Sequence, residues 1–85
     1  MKFSLNSSII WAKKGSTINT VSYEDDMVYK VDGLVSMIIE MEPKNLSTNE
    51  ILEKLNDSTG KEIPQEKVQE MLEALVDIKI ITKDP

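Results

Sequence analysis

The sequence contains no cysteine, no histidine and no arginine among its 85 residues. The first two absences exclude disulfides, thiol nucleophiles, the usual zinc ligands and the commonest general base, so the chain is expected to be a non-enzyme without cofactor or metal. Without arginine, and with a formal charge of −5, it lacks the basic footprint and bidentate donors that nucleic-acid binding favours. No nucleic-acid partner is expected. No apolar run approaches the ~20 residues of a membrane helix, and Met1 to Trp11 lacks the apolar core of a secretory signal. The expectation is a soluble, unprocessed, cytoplasmic chain with no membrane partner. Aromatic residues make up only 5%, so a small core must rest on aliphatic side chains, with Trp11 as one large anchor. Length allows one domain, residues 1–85, and not two.

The best-marked helix runs from Pro64 to Ile78. Val68, Met71, Leu72, Leu75 and Val76 recur there at helical spacing, while Glu62, Glu66, Glu70, Glu73 and Asp77 supply charge to a solvated face. Pro64 suits a first helical turn, where its missing N–H costs nothing, and Glu66 lies near the positive end of the helix dipole. Upstream, Phe3, Leu5 and Ser8 to Ala12 read as one extended strand because β-branched and aromatic residues dominate without helical period. Lys13-Lys14-Gly15-Ser16 reverses the chain. Thr17 to Tyr23 is rich in β-formers, but Ile18 has the opposite parity from Val21 and Tyr23, which predicts a bulge or irregular pairing. After the charged turn Glu24-Asp25-Asp26, the alternation of Met27, Tyr29 and Val31 gives a third strand.

Asp32 is expected to cap the next helix through its carboxylate, with Gly33 easing the corner. That helix covers Gly33 to Met41 and ends before Pro43. Ser47-Thr48-Asn49-Glu50 has capping-box spacing ahead of Ile51, Leu52 and Leu55, and Asn56 to Gly60 reads as a polar stop. Lys79 to Thr82 is left as a last extended turn or strand. The fold class is therefore α+β: a three-stranded antiparallel sheet followed by three helices, winged-helix-like.

This order resembles the PqqD-like family, or RiPP recognition elements. The residues carrying the likeness are Met27-Val28-Tyr29-Lys30-Val31-Asp32 at the end of the third strand, then Val35 to Met41 leading into Leu46-Ser47-Thr48-Asn49-Glu50-Ile51. Val68, Met71, Leu72, Leu75 and Ile80-Ile81 resemble the family's closing helix and its ending. Lys79 stands where the family commonly has glycine, and Glu42-Pro43-Lys44-Asn45 replaces its Asp-Gly. The resemblance implies a module that binds the leader segment of a ribosomally made precursor peptide and presents it to a peptide-modifying enzyme.

The third strand comes last in the meander, so one edge can accept an added peptide strand, or be covered by Ile80 and Ile81 and blunted by Lys30. With the first use, the peptide-binding residues are Met27, Val28, Tyr29, Lys30 and Val31, facing a helix flank of Lys67, Met71, Ala74 and Ile78. Tyr29 and Met71 also fit plain core roles. Two rival functions fit the same elements: a winged-helix DNA-binding regulator, which the acidic last helix disfavours, and a structural docking subunit of an enzyme complex.

Overall fold

The computed structural model describes residues 1–84. Its elements are β1 (Lys2–Leu5), β2 (Ile9–Lys14), β3 (Thr17–Ser22), β4 (Val28–Val31), α1 (Gly33–Glu40), α2 (Thr48–Thr59), α3 (Gln65–Asp77) and β5 (Ile81–Asp84). The α+β class and the three-stranded antiparallel sheet β2-β3-β4 are as expected. A second, two-stranded sheet pairs β1 with β5.

That second sheet corrects the single strand expected over Phe3 to Ala12. Asn6 breaks it: its side-chain oxygen accepts from Ser8 N at 3.0 Å and its side-chain nitrogen donates to Lys79 O at 2.8 Å. A short Asx-type turn of this kind redirects the chain. β1 is then free to pair with β5 from Lys2↔Asp84 to Leu5↔Ile81. On its other side the Phe3 and Leu46 backbones exchange bonds of 2.7 and 2.9 Å. Phe3 is fully buried.

The expected irregularity in β3 is also absent. Its ladders run without a break from Ile9↔Ser22 to Lys14↔Thr17 and from Ile18↔Val31 to Val21↔Val28. The core face of β3 is Ile18, Thr20 and Ser22, which are buried, whereas Val21 is 41% and Tyr23 71% exposed. Two small hydroxyl residues can take core positions because each finds a backbone partner. Thr20 Oγ1 donates to Tyr29 O at 3.5 Å, and Ser22 Oγ accepts from Asp25 N at 3.4 Å. The two apolar residues of β3 thus lie on opposite faces, Ile18 in the core and Val21 outside.

Three helix boundaries differ in instructive ways. Asp32 precedes α1 in extended backbone, yet its side chain makes no capping bond. Ser36 Oγ donates to Gly33 O at 2.6 Å instead, and Gly33 takes the expected corner with φ 64. α2 does not stop at Asn56 but continues through Thr59. Asn56 Oδ1 accepts from Ile63 N at 2.9 Å and Thr59 Oγ1 donates back to Leu55 O at 2.8 Å, so these polar side chains are satisfied without leaving the helix. Gly60, with φ 69, is the actual stop. Pro64 lies one residue before α3, accepting at its carbonyl from Lys67 N and Val68 N. The core joins Ile18, Ile38, Ile51, Leu55, Leu72 and Ile80 from sheet, helices and the approach to β5. Among the described residues, no helix is long and apolar enough to cross a membrane.

Candidate functional site

β4 is the last strand of its sheet and, among the described residues, pairs only with β3. Which of its backbone groups face outward follows from the phase of the ladder. Ser22 N donates to Met27 O at 3.0 Å, continuing the register of Val21↔Val28. Residues opposite one another in an antiparallel pair alternate between bonded and non-bonded positions. Tyr29 and Val31 therefore exchange bonds with Thr20 and Ile18, and the N–H and C=O of Val28 and Lys30 turn away from β3. Residue pattern alone carries no trace of this phase. Of the four strand residues, two offer backbone bonds to an added strand.

The side chains divide along the same lines. Tyr29 and Val31 are half-buried and pack on the core, so the structural reading of Tyr29 holds for its ring, while Val28 is 66% exposed and Lys30 is exposed. Met27 lies just before β4 and is 46% exposed. It belongs to the turn and not to the strand.

On α3, Val68, Leu72 and Leu75 face the core. Lys67 and Ala74 are exposed, and Met71 and Ile78 are half-buried and pack on the core. These four follow one another at intervals of four, three and four residues, which places them along one flank. The opposite flank is occupied. Gln69 accepts from Thr48 Oγ1 of α2 at 2.8 Å and donates to Glu73 at 3.0 Å, and Glu73 pairs with Lys83 of β5 at 3.3 Å. Of the two flanks, the one bearing Met71 is thus the one that α2 and β5 do not tie down.

The end of α3 and the turn between β3 and β4 are brought together. The Lys79 ammonium, just past α3, is 4.0 Å from the Asp25 carboxylate in the β3–β4 turn. An exposed pair of this length adds little stability, but it places the end of α3 beside the β3–β4 turn. Nothing in the pattern of the sequence links these two residues. Lys79 also settles the position where the resemblance expects glycine. Its φ is 65, in the left-handed region. Its N–H donates to Val76 O at 3.0 Å and Ile80 N donates to Leu75 O at 3.0 Å, a Schellman closure of α3. The glycine geometry is kept without the glycine. Glu42 and Asn45, in the segment replacing the family's Asp-Gly, likewise have φ of 46 and 57.

The electrostatics of this region are plain. Lys30 and Lys67 take part in none of the ion pairs among the described residues, which join Lys2–Glu50, Lys13–Glu40, Lys79–Asp25 and Lys83–Glu73. No group of His, Cys, Asp or Glu that could hold a metal ion is present among the described residues. The arrangement offers backbone bonds, apolar contacts and two cations.

The sequence matches no family model and no curated protein. The fold does have a solved counterpart. The structure of TbiB1 in complex with the TbiA(beta) leader peptide shares it with a TM-score of 0.75, covering 96% of this chain and 98% of that one at 12% sequence identity.

Proposed function

We propose that this chain is a non-catalytic recognition element of the PqqD-like kind, which binds the leader segment of a ribosomally synthesised precursor peptide and presents it to a peptide-modifying enzyme. The leader adds as a strand to the outer edge of β4, bonding to the backbone of Val28 and Lys30. Its side chains on one face lie along Lys67, Met71, Ala74 and Ile78, with Met27 at the entry and Tyr29 and Val31 beneath. Generic affinity comes from the main-chain bonds and selectivity from the side-chain contacts.

The observation carrying this reading is the edge of β4 left unpaired among the described residues; the turn that leads into β4 lies beside the end of α3, whose Met71 flank α2 and β5 leave free. The shared fold with a protein solved together with a leader peptide supports it further. Titration of the cognate leader into isotope-labelled protein tests it. The amides of Val28 and Lys30 are expected to shift together with those of Met71 and Ile78, and shifts confined to α2 would overturn the reading.

A further inference from the structure

The face of β2-β3-β4 turned away from the core is graded along the strands. Ile10, Val21 and Val28 are paired in register across all three strands and are 51, 41 and 66% exposed. A contiguous apolar row on the solvent side of a sheet is not needed for folding, and such patches mark contact surfaces. On one side of the row is the turn Glu24-Asp25-Asp26; on the other, Lys14, Thr17, Asn19 and Lys30 line a single shallow hollow. Neither Lys14, Lys30 nor Asp26 takes part in the ion pairs among the described residues.

We infer that this face binds a second copy of the same chain in a weak two-fold dimer. Opposite charge on the two sides of the row favours a second copy, since the acidic turn Glu24-Asp25-Asp26 lies beyond one end of β4 and Lys14 and Lys30 lie at the other. Two copies laid face to face, with their β4 strands antiparallel and Val28 over Val28, bring the Lys14 and Lys30 end of each towards the acidic turn of the other. The apolar row then lies on its own counterpart. A self-complementary patch of this kind is what an isologous contact requires, and sheets pack aligned in this manner. An external partner of either charge leaves one end of the face opposed to a like charge. The face is small: three strands of four to six residues span roughly 300 Å² in projection, well short of the ~800 Å² per partner of a standard interface. The dimer is accordingly a transient one. It leaves the outer edge of β4 free, and it does not depend on leader binding.

Sedimentation velocity on the full chain, from about 10 μM to about 1 mM, tests this in the range where small interfaces associate. The wild type is expected to pass from monomer towards dimer. Val28→Lys, at a position open enough for the ammonium to reach water, should remain folded by circular dichroism and monomeric throughout. Lys30→Glu and Asp26→Lys should each weaken association roughly tenfold. The double variant should restore it, because the carboxylate introduced at position 30 of each copy then meets the ammonium introduced at position 26 of the other. A wild type monomeric at the highest concentration would overturn the proposal and leave the face to another protein. Association unaffected by Val28→Lys, or unrestored by the charge swap, would equally overturn it.

Discussion

Lys79 illustrates what a single residue contributes to this fold. Left-handed backbone costs an L-residue about 1 kcal/mol or more because Cβ crowds the following carbonyl, and glycine escapes that cost. Lys79→Gly should therefore raise unfolding stability by about 1 kcal/mol, read as a higher denaturant midpoint at unchanged slope. The ion pair with Asp25, at 4.0 Å and exposed, is too weak to reverse this. A fall in the midpoint would show that the pair matters more than the backbone. Met71 is the other informative residue, half-buried where the core stripe meets the proposed groove. Fully buried methionine truncations cost about 2–5 kcal/mol; at this half-open position the loss should be smaller, and Met71→Glu should stay folded because its carboxylate reaches water. Its affinity for leader should drop about tenfold or more. Normal binding by a folded Met71→Glu protein would remove this flank from the site.

At the level of elements, the start of α2 is the most legible feature. The spacing Ser47-x-x-Glu50 was enough to place its start. Both halves of the capping box form, with Glu50 N donating to Ser47 Oγ at 3.2 Å and Ser47 N donating to the Glu50 carboxylate at 2.9 Å. That backbone N–H is the main reason the Glu50 carboxyl is held below its ordinary range, followed by the Ser47 side chain and then Lys2. A carboxyl lowered in the folded state stabilises above its unfolded value and loses that contribution as pH falls through the folded one. The stability difference between wild type and Glu50→Gln should thus be present near neutral pH and shrink below about pH 4.3, the ordinary glutamate value. Denaturant midpoints for both proteins across a pH series check this, and a difference that persists undiminished into acid would contradict it. β3 was the least legible element. Alternation is informative only when the apolar parity faces inward, and here Thr20 and Ser22 take the core while Val21 and Tyr23 face out. The bonds that let the two hydroxyls do so lie within the β3–β4 hairpin, to Tyr29 O and from Asp25 N. The split between β1 and β2 was nearer to hand, since Asn6-Ser7-Ser8 interrupts the apolar run with residues that favour turns.

For the molecule as a whole, helix order, the three-stranded sheet and the core stripe of α3 could be read from local pattern. The closure of the chain by β1 on β5 could not, because it joins the two ends of the chain, Lys2 with Asp84, through hydrogen bonds that leave no periodic trace. The candidate site has the same character. Its residues could be named from β4 and from one flank of α3, but the phase that turns Val28 and Lys30 outward depends on how Ser22 and Met27 meet across the turn. Strand addition at β4 is tested most sharply through that phase. Amide hydrogen exchange, measured residue by residue in free and leader-bound protein, should find Tyr29 and Val31 protected in both states through their bonds to β3. Val28 and Lys30 should exchange quickly in the free protein and become protected when leader is bound. Bound leader that leaves Val28 and Lys30 fast, or that protects Trp11 and Lys13 on the opposite edge of the sheet, would contradict strand addition at β4.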